Sequence, residues 1–139
     1  MEFINQNILL ISIVVISGLG LLWPLFVRSG AKGVNPAEAT LLINRQDAHV
    51  VDVREAEEFA SGHLPDARNV PVGKLGDRIA EIEKYKDKPL IVCCASGMRS
   101  SKACRELKGL GFAQLYNLTG GIDAWIQAGL PVKKGTRNK

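Results

Sequence analysis

The sequence predicts an α/β domain built on a mostly parallel sheet, preceded by one transmembrane helix. Three observations predict it. Short apolar runs rich in β-branched residues alternate with segments of helical spacing. Glycine and proline punctuate the junctions between them. Upstream of this alternation, Ile8 to Val27 carries no charged residue.

That uncharged stretch, ILLISIVVISGLGLLWPLF followed by Val27, is 20 residues long. As a helix rising ~1.5 Å per residue it would span roughly 30 Å, the thickness of a hydrocarbon core. Trp23 and Phe26 stand near one end, where aromatic rings favour an interface. Pro24 falls in the last turn, where a lost N–H is tolerable. A cleaved signal peptide fits less well, because Glu2 and no basic residue precede the run and Arg28 follows it. The expectation is a retained single-pass anchor over 1–28, with the lipid bilayer as partner of residues 8–27. Arg28 and Lys32 flank its C-terminal side, so Met1 is expected outside and the domain on the cytoplasmic face. Ser29 to Val34 reads as a short tether at 29–34.

The domain itself is expected over 35–132. Asn35-Pro36-Ala37-Glu38 has the form of a helix start, with a cap residue, a first-turn proline and an acid. His49 to Val53 reads as a strand, and Glu55 to Ala60 as a turn or two of helix ended by Ser61-Gly62. Leu75, Ile79 and Ile82 have helical spacing. Leu90 to Cys93 is an apolar run of the kind that forms a strand covered on both faces. Ser100 to Leu110 reads as a helix stopped by Gly111, Ala113 to Leu118 as a strand, and Ile122 to Ala128 as a last helix opened by Gly120-Gly121. Residues 133–139 form a basic tail.

Composition excludes several classes. The net charge of +4 has no basic stripe with interleaved aromatics, so a nucleic-acid partner is not expected. The basic residues beside the apolar run and at the C-terminus read better as a margin facing anionic lipid. Three cysteines, two of them adjacent, suit neither a disulfide framework nor zinc spacing, and His49 and His63 complete no metal cluster. No metal and no cofactor is expected. Reduced thiols fit a cytosolic domain.

The chemistry points to Cys94-Ala95-Ser96-Gly97-Met98-Arg99-Ser100, a loop between a buried strand and a helix. Ligands of open α/β sheets bind beyond the carboxyl ends of the strands. A free thiol with pKa ~8.5 is only about 3% ionised near neutrality. A helix N-terminus contributes ~0.3–2 kcal/mol to an anion, roughly 0.2–1.5 pKa units, so further donors are needed. Gly97 lets the backbone curl, Arg99 brings a permanent cation, and Ser96 and Ser100 add hydroxyls. Cys94 is the expected nucleophile, with Ala95, Ser96, Gly97, Met98, Arg99 and Ser100 holding its substrate. This reading requires that Cys94 be open to solvent. Cys93, on strand alternation, faces the other way, and Cys104 reads as packing.

Cys94-x-x-Gly97-x-Arg99-Ser100 after Leu90-Ile91-Val92 resembles the active-site loop of rhodanese-like sulfurtransferases. Val51-Asp52-Val53-Arg54, Glu58-Phe59 and Gly62 to Pro71 are similar to that family's upstream motif. Leu118 to Trp125 and Gly129 to Val132 are similar to its C-terminal motif. Asp66 departs from the family, which often has glycine there, although Asp tolerates turns. The resemblance covers roughly 34–132. It implies a central parallel sheet of about five strands flanked by helices, and ping-pong transfer of a sulfane sulfur through a persulfide on Cys94. It implies a thiosulfate-like donor, favoured by Arg99 over mercaptopyruvate, and a thiol or cyanide as acceptor. With the anchor, it implies a bacterial-type inner-membrane protein. Asp52, Arg54, Glu58 and His63 are expected to support the site as a hydrogen-bonded frame, with Arg54 reaching Glu58 and His63 nearest the pocket rim. Two other readings are open. Counted from Cys93, the loop is also Cys-x5-Arg-Ser, the phosphate-cradling pattern of cysteine phosphatases and arsenate reductases, though the sequence offers no obvious acid for the leaving oxygen. The other reading is a membrane-recruited binding module of the same fold.

Overall fold

A computed structural model of the chain describes residues 2–26 and 31–135, with only the backbone described for residues 23–26. In chain order the elements are α1 (Glu2–Gln6), α2 (Ile8–Phe26), β1 (Ala31–Val34), α3 (Pro36–Gln46), β2 (His49–Asp52), α4 (Ala56–Ser61), β3 (Arg68–Asn69), β4 (Leu90–Cys93), α5 (Met98–Gly109), β5 (Leu115–Leu118) and α6 (Gly121–Gln127). The five strands form one parallel sheet in the order β1-β5-β4-β2-β3. The five-stranded parallel sheet is thus as the resemblance implied.

Alternation along the strands divides the core into two layers. Val51, Val92 and Cys94 point into one, with Leu107 of α5; Val50, Ile91 and Cys93 point into the other, with Trp125 of α6. All four residues of β4 are buried, so both of its faces are covered. Each fully buried aliphatic side chain there contributes ~1.5–3 kcal/mol relative to exposure. The N-terminus of α3 is as the sequence predicts. Asn35 Oδ1 accepts from the Glu38 N–H at 2.8 Å, and Glu38 accepts in return from the Asn35 N–H.

The order of the strands places the site. From β2 the chain moves outward to β3, whereas from β4 it moves the opposite way to β5. The carboxyl ends of β2 and β4 therefore flank the switch point where ligands of open parallel sheets bind. The first ends in Asp52 and the second delivers Cys94.

Four expectations are corrected. The apolar helix exists as α2, 19 residues from Ile8 to Phe26. Among the described residues no helix is long and apolar enough to cross a membrane. The transmembrane anchor over 1–28, the bilayer contact of residues 8–27 and the single-pass inner-membrane placement drawn from them are withdrawn; Val27 and Arg28 lie outside the described residues.

Of the tether expected at 29–34, residues 31–34 form β1 instead, pairing with β5 from Ala31↔Leu115 to Val34↔Leu118. Without it the outer edge of β5 would present unpaired backbone groups. Gly33 belongs to this fit, since a Cβ there would lie 3.0 Å from Thr119 Oγ1. The helical spacing of Leu75, Ile79 and Ile82 yields three single 3-10 turns, Val72–Lys74, Ile79–Glu81 and Glu83–Tyr85. Gly76 interrupts the run, at ~1 kcal/mol against an α-helix, yet Leu75 and Ile82 are still fully buried. The basic tail begins inside the fold: Lys133 exchanges backbone hydrogen bonds with His63, and the Gly135 N–H donates to the Ala60 carbonyl.

Candidate active site

Cys94 follows the last residue of β4 and precedes α5, whose N-cap is Gly97 at φ 107°. That left-handed conformation, rare for residues bearing a Cβ, turns the Gly97 N–H back onto Cys94 Sγ at 2.9 Å. Ser100 Oγ lies 3.4 Å from the same sulfur. Burial pushes the Cys94 thiol pKa up, but the Ser100 hydroxyl and the backbone amides of Ser100, Gly97 and Ser96 together bring it below its ordinary value. The sulfur is thus met by the Ser100 hydroxyl and by backbone N–H groups of the loop.

The second half of the chain fixes this loop from outside. The Ile122 N–H donates to the Cys94 carbonyl at 2.8 Å, and the Asp123 N–H to the Ala95 carbonyl at 3.2 Å. With these carbonyls held outward by α6, the loop N–H groups are left facing inward. Gly120 and Gly121 make the approach possible at φ 76° and 57°. A Cβ on Gly121 would overlap the Cys94 carbonyl oxygen and lie 2.6 Å from the Ala95 carbonyl.

The other expected residues divide into two groups. Glu58 reaches the loop: its carboxylate accepts from both Arg99 terminal nitrogens, at 2.6 and 2.8 Å. This fork closes across the switch point, from α4 to α5. The Arg99 hydrogen bonds hold the Glu58 pKa down to about 2, and Glu58 raises that of Arg99 in turn. Arg99 is therefore a paired cation rather than a free one. Ala95 and Gly97 are half-buried, while Ser96 and Met98 are exposed.

Asp52, Arg54 and His63 form the frame behind. Arg54 is buried against Asp52, with Nε at 3.0 Å and one terminal nitrogen at 2.7 Å, and it also donates to the Gly62 carbonyl at 2.6 Å. The expected Arg54–Glu58 link is replaced by these two pairs, Arg54 with Asp52 and Glu58 with Arg99. His63 is buried, stacked on Phe59 at 3.7 Å, with Nδ1 2.8 Å from the Phe59 carbonyl. These contacts hold its ring in the interior, not at a pocket rim.

The three cysteines are free and buried. Cys93 lies in the opposite layer from Cys94, and burial raises its pKa well above the ordinary value. Cys104 is pushed up by burial to about 12. A nucleophile at Cys93, which the phosphatase register requires, has no such donors around it. Against expectation, Cys94 is only 1% exposed. The sequence reading missed Asn117 of β5, whose side chain contacts Ser100 Oγ at 2.6 Å. The available signal was a carboxamide inside an otherwise apolar strand, where Asn is disfavoured.

Comparison with known proteins agrees with this geometry. A family model described as the rhodanese-like domain matches residues 35–128. YibN of Escherichia coli is 37% identical over 110 residues, which cover 78% of this chain and 77% of that one. Thiosulfate sulfurtransferase GlpE of Pseudomonas savastanoi is 38% identical over 90 residues, 65% of this chain and 83% of its own. Among solved structures, a rhodanese-related protein of Thermoplasma volcanium superposes with a TM-score of 0.66 at 33% identity, covering 73% of this chain and 97% of that one. The matched stretch runs from the α3 cap through the cysteine loop to the end of α6, and over it the chain belongs to the rhodanese-like domain family.

Proposed function

We propose that the chain is a sulfurtransferase of the thiosulfate type, with Cys94 as nucleophile and residues 35–132 as the working unit. The observation that carries this reading is the sulfur of Cys94, held by the Gly97 N–H at 2.9 Å with the Ser100 hydroxyl beside it. The Cys94 thiolate attacks the outer sulfur of a thiosulfate-like donor. An S–S bond forms to that sulfur, the donor's S–S bond breaks, and sulfite leaves with the electron pair. The persulfide then gives its outer sulfur to a thiolate or cyanide, and Cys94 recovers its electron pair as thiolate.

In this reading the residues from Ala95 to Ser100 receive the donor, through backbone N–H groups for the most part. Arg99 meets an anionic donor only in competition with Glu58. Asp52, Arg54 and His63 hold the frame. The GlpE relative, named for thiosulfate sulfur transfer, supports the donor class.

The test is intact-mass analysis of the chain after incubation with thiosulfate. The expected result is a gain of one sulfur atom, ~32 Da, mapped to Cys94 and discharged by cyanide. Cys94→Ser abolishes it and Cys93→Ser leaves it. No gain in the unmodified chain refutes the reading. One observation favours a second role, as a binding module of the same fold: the 1% exposure of Cys94. A loop that stays closed to thiosulfate and to iodoacetamide alike decides for that role.

A further inference from the structure

Ser100 is buried and has one hydroxyl proton, yet three polar groups surround its oxygen: the Gly97 carbonyl at 3.0 Å and Asn117 Oδ1 at 2.6 Å as acceptors, and Cys94 Sγ at 3.4 Å, which donates as a thiol and accepts only as a thiolate. The shortest contact is that to Asn117, so Asn117 decides where that proton points. The opposite end of the Asn117 carboxamide is also engaged, at 2.8 Å from Ser101 Oγ and 3.4 Å from the Gly97 carbonyl. Ser101 in turn donates to that carbonyl at 2.9 Å. Asn117 itself is fixed by the sheet, its backbone in register with Val92 of β4 and Gly33 of β1.

The carboxamide has two settings. With Oδ1 toward Ser100, the hydroxyl proton goes to Asn117, and the oxygen faces the sulfur as an acceptor. That arrangement suits a neutral thiol, which donates. Turned by half a rotation, Nδ2 donates to Ser100 Oγ and the hydroxyl proton is released to the sulfur. That arrangement suits a thiolate, and Oδ1 then accepts from the Ser101 hydroxyl. Both settings satisfy the pair of serines; the second takes the Ser101 hydroxyl and Asn117 Nδ2 from the Gly97 carbonyl, which keeps the Ser101 N–H at 3.2 Å.

We propose that Asn117 is a positioning residue for Cys94, orienting the Ser100 hydroxyl toward the sulfur when the thiol ionises. The inference deepens the sulfur-transfer reading and rests on it for its catalytic meaning. Other groups also bear on the sulfur. Arg99 of α5, with Glu58 of α4 behind it, acts by charge, as do Cys93 of β4 and Cys104 of α5 if ionised. Asn117 is uncharged, and its shortest contact toward the sulfur is Ser100 Oγ at 2.6 Å, with a longer one to the Gly97 carbonyl at 3.4 Å.

The experiment reads the Cys94 titration from thiolate ultraviolet absorbance, assigned by its loss in Cys94→Ser. Asn117→Asp places a carboxylate that only accepts, and so draws the hydroxyl proton away from the sulfur. The expected result is an upward shift of about one unit, a tenfold drop in thiolate below the pKa. The same substitution with Ser100→Ala should shift the thiol by less than half as much. Equal shifts in the two backgrounds would reduce the effect to charge through space and overturn the proposal. A second measurement needs no variant of Asn117. In the unmodified chain the Asn117 carboxamide proton and nitrogen resonances should follow the Cys94 titration, and resonances that stand still through it also overturn the proposal. Neither readout depends on sulfur transfer: a chain that shows this coupling yet never acquires sulfur refutes the proposed activity and leaves the positioning role intact.

Discussion

At the scale of single residues, the decisive contact is the fork between Arg99 and Glu58. A guanidinium near an anionic nucleophile ordinarily attracts anionic substrates, but here its charge is already matched by a carboxylate at 2.6 and 2.8 Å. Both side chains are more than a third exposed, so solvent and salt screen the pair and its worth is small. Glu58→Gln keeps a hydrogen-bond acceptor and removes the competing charge. It should lower the thiosulfate KM about threefold, the scale of an exposed pair of ~0.2–1 kcal/mol, with the gain fading as ionic strength rises. An unchanged or higher KM in steady-state assays would mean that Glu58 serves to hold Arg99 in place. The pH dependence has a defined sign. Because the Glu58 pKa is depressed to about 2, the pair's contribution to stability is complete above the unfolded-state value of ~4.3 and is lost as pH falls from there toward 2. The sequence showed both charges and the need for a cation near Cys94. It did not show their pairing, because 41 residues separate them and only the meeting of β2 and β4 brings them together.

At the scale of elements, the loop is formed by one helix and buttressed by another. The amides of Ser96, Gly97 and Ser100, around the start of α5, act on the sulfur, whereas those of Ile122 and Asp123 in α6 take the loop carbonyls. The role of α5 was legible in advance, since a strand, a glycine-bearing loop and a helix follow one another along the chain. The buttress was legible only as a Gly-Gly pair opening a helix, because nothing local tells which carbonyls those amides meet. Gly121→Ala tests the buttress. At φ 57° a non-glycine residue carries ~1–2 kcal/mol of strain, and the added Cβ overlaps the Cys94 carbonyl. The expected loss is about 2 kcal/mol or more in denaturant unfolding, with a rise in the Cys94 pKa as the loop amides turn away. A variant that unfolds like the parent and keeps its thiol titration would show that the loop holds its shape without α6. The short 3-10 turns between β3 and β4 were misread for a related reason: Leu75 and Ile82 are buried with Ile79 packed beside them, and a pattern of burial alone does not separate a continuous helix from a series of short turns.

At the scale of the whole molecule, the question is where the cooperative unit begins. The family match starts at residue 35, but the sheet starts four residues earlier. β1 pairs with β5 at every position from Ala31 to Val34, and the Thr119 N–H donates to the Val34 carbonyl at 2.8 Å, just before the Gly120-Gly121 turn that supports the cysteine loop. Val34 is 2% exposed and packs in the same layer as Leu118, Ile122 and Trp125. The sequence hid this strand because Ala-Lys-Gly-Val has little β-propensity and no alternation long enough to read; its pairing is fixed by a partner more than eighty positions away. A chain beginning at Ala31 should therefore keep the melting temperature of the domain, whereas one beginning at Asn35 should lose it in part. Removing the burial of Val34 alone forfeits ~1.5–3 kcal/mol, and for a unit of this size each kcal/mol lowers the midpoint by roughly 4–8 °C. The shorter chain should then melt on the order of 10 °C lower in calorimetry, and its β5 amides should exchange faster with solvent. Equal melting of the two chains would place β1 outside the cooperative unit and leave the four-stranded remainder as the part that supports Cys94.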